Sequence, residues 1–228
     1  MRWFWGIVAA VVLIAAGGVA GYVIASHRDA PVAVPPAGSR VVFFGDSWTA
    51  GYWSDPLTGG FAYLTANVFG WDAVVLGEAG TGFIQKGPNP PEDESYPTRA
   101  KTLPIDEDVP LVILEGSIND TTLNEATTSN PTVDRLRFAV ESTLASLRRA
   151  YPNARIIALG PTGGDPVPEL DAMLRQIYAA ENVSYIDAVD WITEDMPWAL
   201  GDPYHPSSRG HAYFAGRLVD ALQAVYSP

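Results

Sequence analysis

Five short, largely apolar runs, at residues 41–44, 73–76, 111–114, 155–159 and 183–186, recur along the chain with longer stretches of helical periodicity between them. Their apolar residues run on continuously instead of alternating with polar ones, the pattern of strands covered on both faces. Residues 60–69, 132–150 and 167–180 carry the helical spacing, and residues 208–226 close the chain in the same way. Repeated strand and helix units of this length build parallel sheets, because a parallel neighbour needs a crossover and not a tight turn. Residues 40–228 are therefore expected to form an α/β domain, a three-layer α/β/α sandwich around a five-stranded parallel sheet. Ligands in such sheets meet the carboxyl ends of the strands, so the residues following each run are the ones to read for chemistry.

The amino-terminal end is a different material. Residues 3–25 contain no charged side chain, and a helix of that length spans the ~30 Å of a bilayer core. Residues 1–26 are expected to be a transmembrane anchor. A cleaved signal peptide is the alternative, with Val23-Ile24-Ala25 as a small-residue cleavage site, although its apolar region is normally only about 7–15 residues long. The short, positively charged leading segment favours an extracytoplasmic domain. Residues 27–39 read as a Pro/Ala-rich tether.

Composition excludes several classes. With 14 Lys+Arg against 26 Asp+Glu the net charge is −12, which argues against nucleic acid as a partner. The absence of cysteine removes disulfide scaffolds, thiolate zinc sites and a cysteine nucleophile. Of the three histidines, His27 lies in the tether. His211 falls in line with Ala215, Leu218 and Leu222 on the packing face of the closing helix, a structural position. That leaves His205.

Four segments stand where a site would form. Gly45-Asp46-Ser47 follows the first strand; its glycine permits a tight turn that would present the serine hydroxyl, with Asp46 anchoring the turn. Gly77-Glu78-Ala79-Gly80-Thr81-Gly82 follows the second, and glycines there let backbone N–H groups approach a developing oxyanion. Its spacing is not that of a dinucleotide fingerprint. Glu115-Gly116-Ser117-Ile118-Asn119-Asp120 follows the third: the Asn119 amide can donate to an oxyanion, and Asp120 can cap the next segment. Near the end, Asp202-Pro203-Tyr204-His205 resembles a helix N-cap with proline in the first turn, which would hold Asp202 and His205 together while the histidine faces Ser47.

Taken in order, these residues resemble the GDSL-type, or SGNH, serine hydrolases. The match comprises Gly45-Asp46-Ser47, a glycine of the 77–82 loop, Asn119 in Ser-Ile-Asn-Asp, and Asp202-x-x-His205. The resemblance implies a flavodoxin-like fold, Ser47 as nucleophile, His205 as general base then acid, and Asp202 as its orienter. It also implies an oxyanion hole from the Ser47 amide, a loop glycine and Asn119, with no metal or organic cofactor. Counting from the Thr-Gly-aromatic ending selects Gly80 for the hole, and counting from the strand end selects Gly82; Gly80 is preferred. Where the family has Gly-x-Asn-Asp, this chain has Ser117 in place of the glycine. The Gly-x-Ser-x-Gly elbow of α/β-hydrolases is absent, Thr49 standing at its last position.

The expected activity is hydrolysis of short acyl or O-acetyl esters, on cell-envelope carbohydrate or a small-molecule ester, by a membrane-anchored enzyme. A lysophospholipase or thioesterase of the same family, or an inactive anchored binding module, are the alternatives. Residues 85–104, rich in proline and acid, are placed as a wall or lid beside the serine or as surface decoration. Trp48, Trp53 and Trp198 are placed as pocket wall, sugar platform or core.

Overall fold

The computed structural model describes residues 33–125, 131–164, 167–192 and 196–226. The expected anchor at 1–26 and most of the tether lie outside the described residues. Among the described residues no helix is long and apolar enough to cross a membrane.

The strands are β1 (Arg40–Gly45), β2 (Asp72–Gly77), β3 (Leu111–Glu115), β4 (Arg155–Leu159) and β5 (Ser184–Ile186), all parallel and ordered β2-β1-β3-β4-β5. That is the expected sheet. The helices are α1 (Ser47–Ala50), α2 (Phe61–Phe69), α3 (Tyr96–Lys101), α4 (Pro131–Ala150), α5 (Pro168–Ala180) and α6 (Ser208–Tyr226). Successive strand residues point to opposite faces, and both faces are covered. Val42, Phe44, Val112 and Leu114 pack under α3, α4 and α5. Val41, Phe43, Leu111 and Ile113 pack against α2 and α6. Burial of this kind contributes about 25 cal/mol per Å² of apolar surface removed from water, which explains why the strand sequences are apolar throughout.

The packed unit begins at Ala33. The Pro35 carbonyl accepts from the Trp71 indole at 2.8 Å, and the Gly38 N–H donates to the Gly70 carbonyl at 2.7 Å.

Three elements depart from the sequence reading. The segment 85–104 is not only loop: it contains α3, whose Tyr96 and Ala100 are wholly buried. The helix α1 starts at Ser47 itself, with Asp46 as its N-cap. The third departure is a correction. Asp202-Pro203 does not open a helix; it lies in β7 (Asp202–Pro206), antiparallel to β6 (Trp198–Ala199). The Asp202 carboxylate still accepts from the Tyr204 and His205 N–H groups at 2.8 and 3.2 Å, the bonds a cap would make. The pairing with β6 keeps the backbone extended.

The order changes direction around β1, with β2 on one side and β3 on the other, and the carboxyl ends of strands at such a point are where ligands of open α/β sheets bind. The segments after β1, β2 and β3 meet there.

Candidate active site

The turn after β1 is closely fitted. A Cβ on Gly45 would stand 2.2 Å from Thr49 Oγ1 and 2.4 Å from a Glu115 carboxylate oxygen, and one on Gly77 would stand 2.2 Å from the Ala50 nitrogen. Glycine at both positions lets α1 seat directly on the ends of β1 and β2. Asp46 anchors it, Oδ1 accepting from the Trp48 N–H at 3.0 Å. Ser47 opens the helix and is 5 % exposed.

His205 reaches Ser47 from the far end of the chain. Its Nδ1 lies 2.8 Å from Asp202 Oδ2 and its Nε2 lies 3.0 Å from Ser47 Oγ. A carboxylate can only accept, so Nδ1 carries the proton, and in the neutral ring Nε2 is left as acceptor for the serine hydroxyl. Burial pushes the Asp202 carboxyl up. The Tyr204 N–H, His205 and the Trp53 indole more than offset this and hold it below the ordinary aspartate value. The arm carrying His205 is fixed to α1 by the Trp48 indole, which donates to the Tyr204 carbonyl at 3.0 Å.

The glycine loop after β2 comes to the same place. Asn119 Nδ2 donates to the Thr81 carbonyl at 2.9 Å and to Asp46 Oδ2 at 3.2 Å, so its amide sits between the loop and the turn after β1. The two candidate glycines differ. The Gly82 N–H donates to the Gln85 carbonyl at 3.0 Å. The Gly80 N–H has no acceptor among the described residues, and Gly80 adopts φ +73°.

Asp120 is not a helix cap; this too corrects the sequence reading. Its carboxylate accepts from the N–H groups of Phe83, Ile84 and Gln85 at 3.0, 2.9 and 2.9 Å and from Ser117 Oγ at 2.9 Å. It therefore fastens the glycine loop to the end of β3. Burial raises its pKa against the pull of those donors.

Behind Ser47 lies a buried acidic pair. Glu115 accepts from Thr49 Oγ1 at 2.6 Å and from Thr162 Oγ1, and more distantly from the Asp46 N–H at 3.4 Å. Burial raises both carboxyls, Asp46 well above the ordinary range with the Glu115 charge as the next cause. Arg99 faces them from α3, donating to the carbonyls of Gly45 and Leu76 at 2.7 and 3.0 Å and to Thr81 Oγ1 at 3.2 Å. One guanidinium thus ties β1, β2 and the loop together. Sequence reading missed Glu115 and Arg99, and it placed Trp53 as pocket wall, sugar platform or core without its bond to Asp202. For Glu115 a signal existed: a lone charge ending an otherwise apolar strand.

Of the three tryptophans, Trp48 is core, edge-on to Trp198 and Phe214. Trp53 is 52 % exposed and beside Asp202.

The GDSL-like lipase/acylhydrolase family matches residues 43–213. No curated protein matches the chain significantly. Among solved structures, a family two carbohydrate esterase from Clostridium thermocellum in complex with cellohexaose superposes with TM-score 0.60 at 20 % identity, over 85 % of this chain and 66 % of that one. An acetyl xylan esterase from the rumen bacterium Butyrivibrio proteoclasticus gives 0.62 at 18 %, over 84 % and 64 %. A Lactobacillus plantarum protein gives 0.59 at 17 %, over 82 % and 98 %. The chain thus spans about two thirds of the two esterases and nearly all of the third, and at these identities the likeness is one of fold. With the family match covering more than half of its length, the chain belongs to the GDSL-like lipase/acylhydrolase family.

Proposed function

We propose that the protein is a serine esterase that removes short acyl groups, O-acetyl above all, from carbohydrate of the cell envelope. The single observation that carries the reading is His205 standing between Ser47 Oγ at 3.0 Å and Asp202 Oδ2 at 2.8 Å. In the proposed reaction Ser47 Oγ attacks the ester carbonyl carbon as His205 Nε2 takes its proton. The tetrahedral oxyanion is met by the N–H groups of Ser47 and Gly80 and by the Asn119 amide, which gives up its longer bond to Asp46 Oδ2 to do so. His205 then gives the proton to the departing alcohol oxygen, leaving an acyl-serine. Water, deprotonated by the same nitrogen, hydrolyses it and restores the hydroxyl.

The Gly80 N–H, which has no acceptor among the described residues, supports that glycine over Gly82, whose N–H is bonded within its own loop. The carbohydrate part of the reading is supported by the esterases of like fold. The envelope setting is supported by the uncharged residues 3–25, read as an anchor that holds the domain outside the cytoplasm.

The test is hydrolysis of p-nitrophenyl acetate and of acetylated xylan by the full chain and by Ser47→Ala. Loss of a serine or histidine of such a triad costs on the order of 10⁴–10⁶ in rate. Turnover by Ser47→Ala equal to that of the parent would end the proposal.

A further inference from the structure

We propose that Trp53 is a positioning residue for the acid–base pair: its indole N–H shares Asp202 Oδ2 with His205 and sets how strongly that carboxylate holds the imidazole. The inference rests on the reading of Ser47, His205 and Asp202 as the catalytic residues.

Trp53 Nε1 donates to Asp202 Oδ2 at 2.7 Å, and His205 Nδ1 meets the same oxygen at 2.8 Å. Two donors on one carboxylate oxygen compete for its electron density. The backbone of Trp53 is strained to secure this, with φ +65° in the left-handed region that a bulky residue enters only where its surroundings impose it. Core packing does not explain the strain, since the side chain is half exposed. The surroundings that hold it are β7, through Asp202, and the start of α6. The Tyr52 carbonyl accepts from His211 Nε2 at 2.9 Å, and the Asp55 N–H donates to Ser208 Oγ at 3.1 Å. His211 is held in that orientation because its Nδ1 accepts from the Phe61 N–H at 3.3 Å. The Tyr52 ring lies 4.9 Å from the His205 ring, tilted by 55°. The segment that follows the nucleophile helix therefore clasps the start of α6 and, through the Tyr52 ring, β7 with its base, with the Trp53 indole closing on the carboxylate.

The chemical consequence has a definite sign. Without the indole donor, Oδ2 keeps more negative charge and binds the protonated imidazole more tightly, so the base stays protonated to higher pH. The other titratable groups around the pair are Ser47 from α1, Tyr52 from the clasping segment, Tyr204 from β7 and, beyond the Tyr52 carbonyl, His211 from α6. Trp53→Phe alters none of them.

The experiment follows the rate of Ser47 labelling by a fluorophosphonate from about pH 5 to about pH 8, in the full chain, Trp53→Phe and the exposed-site control Leu57→Ala. Trp53→Phe is expected to move the acid limb up by roughly half a pH unit, making labelling about threefold slower on that limb with the plateau nearly unchanged. Leu57→Ala should follow the parent. An unmoved limb, or a lowered plateau alone, overturns the proposal. The low-field proton NMR signal of His205 Nδ1–H, assigned by its loss in Asp202→Asn, reads the same pair with no reagent. It should move downfield in Trp53→Phe, and an unmoved signal also overturns the proposal. Failure of the underlying reading has its own signature: a parent protein that fluorophosphonate never labels at Ser47.

Discussion

Gly82 lies so close to Asp120 that a Cβ on the glycine would stand 2.5 Å from a carboxylate oxygen. That carboxylate holds three successive N–H groups of the loop and the Ser117 hydroxyl. Gly82→Ala must push it off some of these donors, and overpacking at a buried site costs about 1–3 kcal/mol. At Gly80 the nearest atom to an added Cβ is Pro88 Cδ at 3.4 Å, so the burden there is the φ of +73°, about 1–2 kcal/mol. We expect Gly82→Ala to lower the urea midpoint at least as much as Gly80→Ala. Gly80→Ala should show the larger loss of kcat per unit of stability lost. Equal kcat losses at equal stability would remove the distinction between the two glycines.

Asn119 offers a second test. The proposed reaction asks its amide to donate to charge that develops only in the transition state, and removal of one such donor typically costs about 10²–10³ in kcat. Asn119→Ala is expected to show that loss with KM little changed. Asn119→Asp, which replaces the donor with an acceptor facing Asp46 Oδ2, should be no better. A change confined to KM would show that the side chain binds substrate instead.

Ser117 stands where the family usually carries glycine, at φ +96° and fully buried. Its hydroxyl bond to Asp120 at 2.9 Å offsets backbone strain that glycine would not have. Ser117→Ala keeps the strain and loses the bond, a cost of about 1–2 kcal/mol. Ser117→Gly loses the bond but releases the strain, so it should unfold at a higher urea concentration than Ser117→Ala. The reverse order would contradict the account.

His211 predicts a pH dependence. Burial lowers its pKa below the ordinary histidine value. Its folded form keeps Nδ1 as acceptor for the Phe61 N–H and Nε2 as donor to the Tyr52 carbonyl. The unfolded chain takes up the proton near pH 6.5, before the folded chain does. The stability this group contributes is therefore full above that pH and is lost as pH falls toward the lowered folded value. His211→Gln cannot titrate and should flatten the acid side of the stability profile, measured as urea midpoints at about pH 7 and about pH 5.5. A variant with the same slope as the parent would place the dependence elsewhere.

The sheet was legible because both of its faces are covered, which leaves uninterrupted apolar runs; β4 has the same bounds in sequence and structure. Helix α6 was legible from its spacing, and His211 is buried where that spacing put it. The β6/β7 hairpin was not. Asp202 accepts the same two N–H groups in an extended strand as it would at a helix start, so that signal is identical, and the antiparallel pairing of Asp202 with Ala199 of β6 decides. Helix α3 was hidden by the prolines around it, although Pro97 occupies its first turn, where proline is tolerated. Strand ends and elimination brought Ser47, Asn119, Asp202 and His205 forward as candidates, and the family resemblance supplied their expected roles. Trp53 could not be tied to Asp202 in this way, because nothing at a lone Trp-Ser-Asp announces a carboxylate 149 positions away.

The two-stranded hairpin of β6 and β7 has a consequence for how the protein would fail. It is not hydrogen-bonded into the five-stranded sheet, and the Trp48 indole, the Trp53 indole and Ser47 are what tie β7 to the segment after β1. Local opening of such an element needs only part of the global unfolding free energy. His205 could then leave Ser47 while the sheet stays intact, so the lifetime of the chemistry and the lifetime of the fold are separate quantities in this molecule, governed by different contacts.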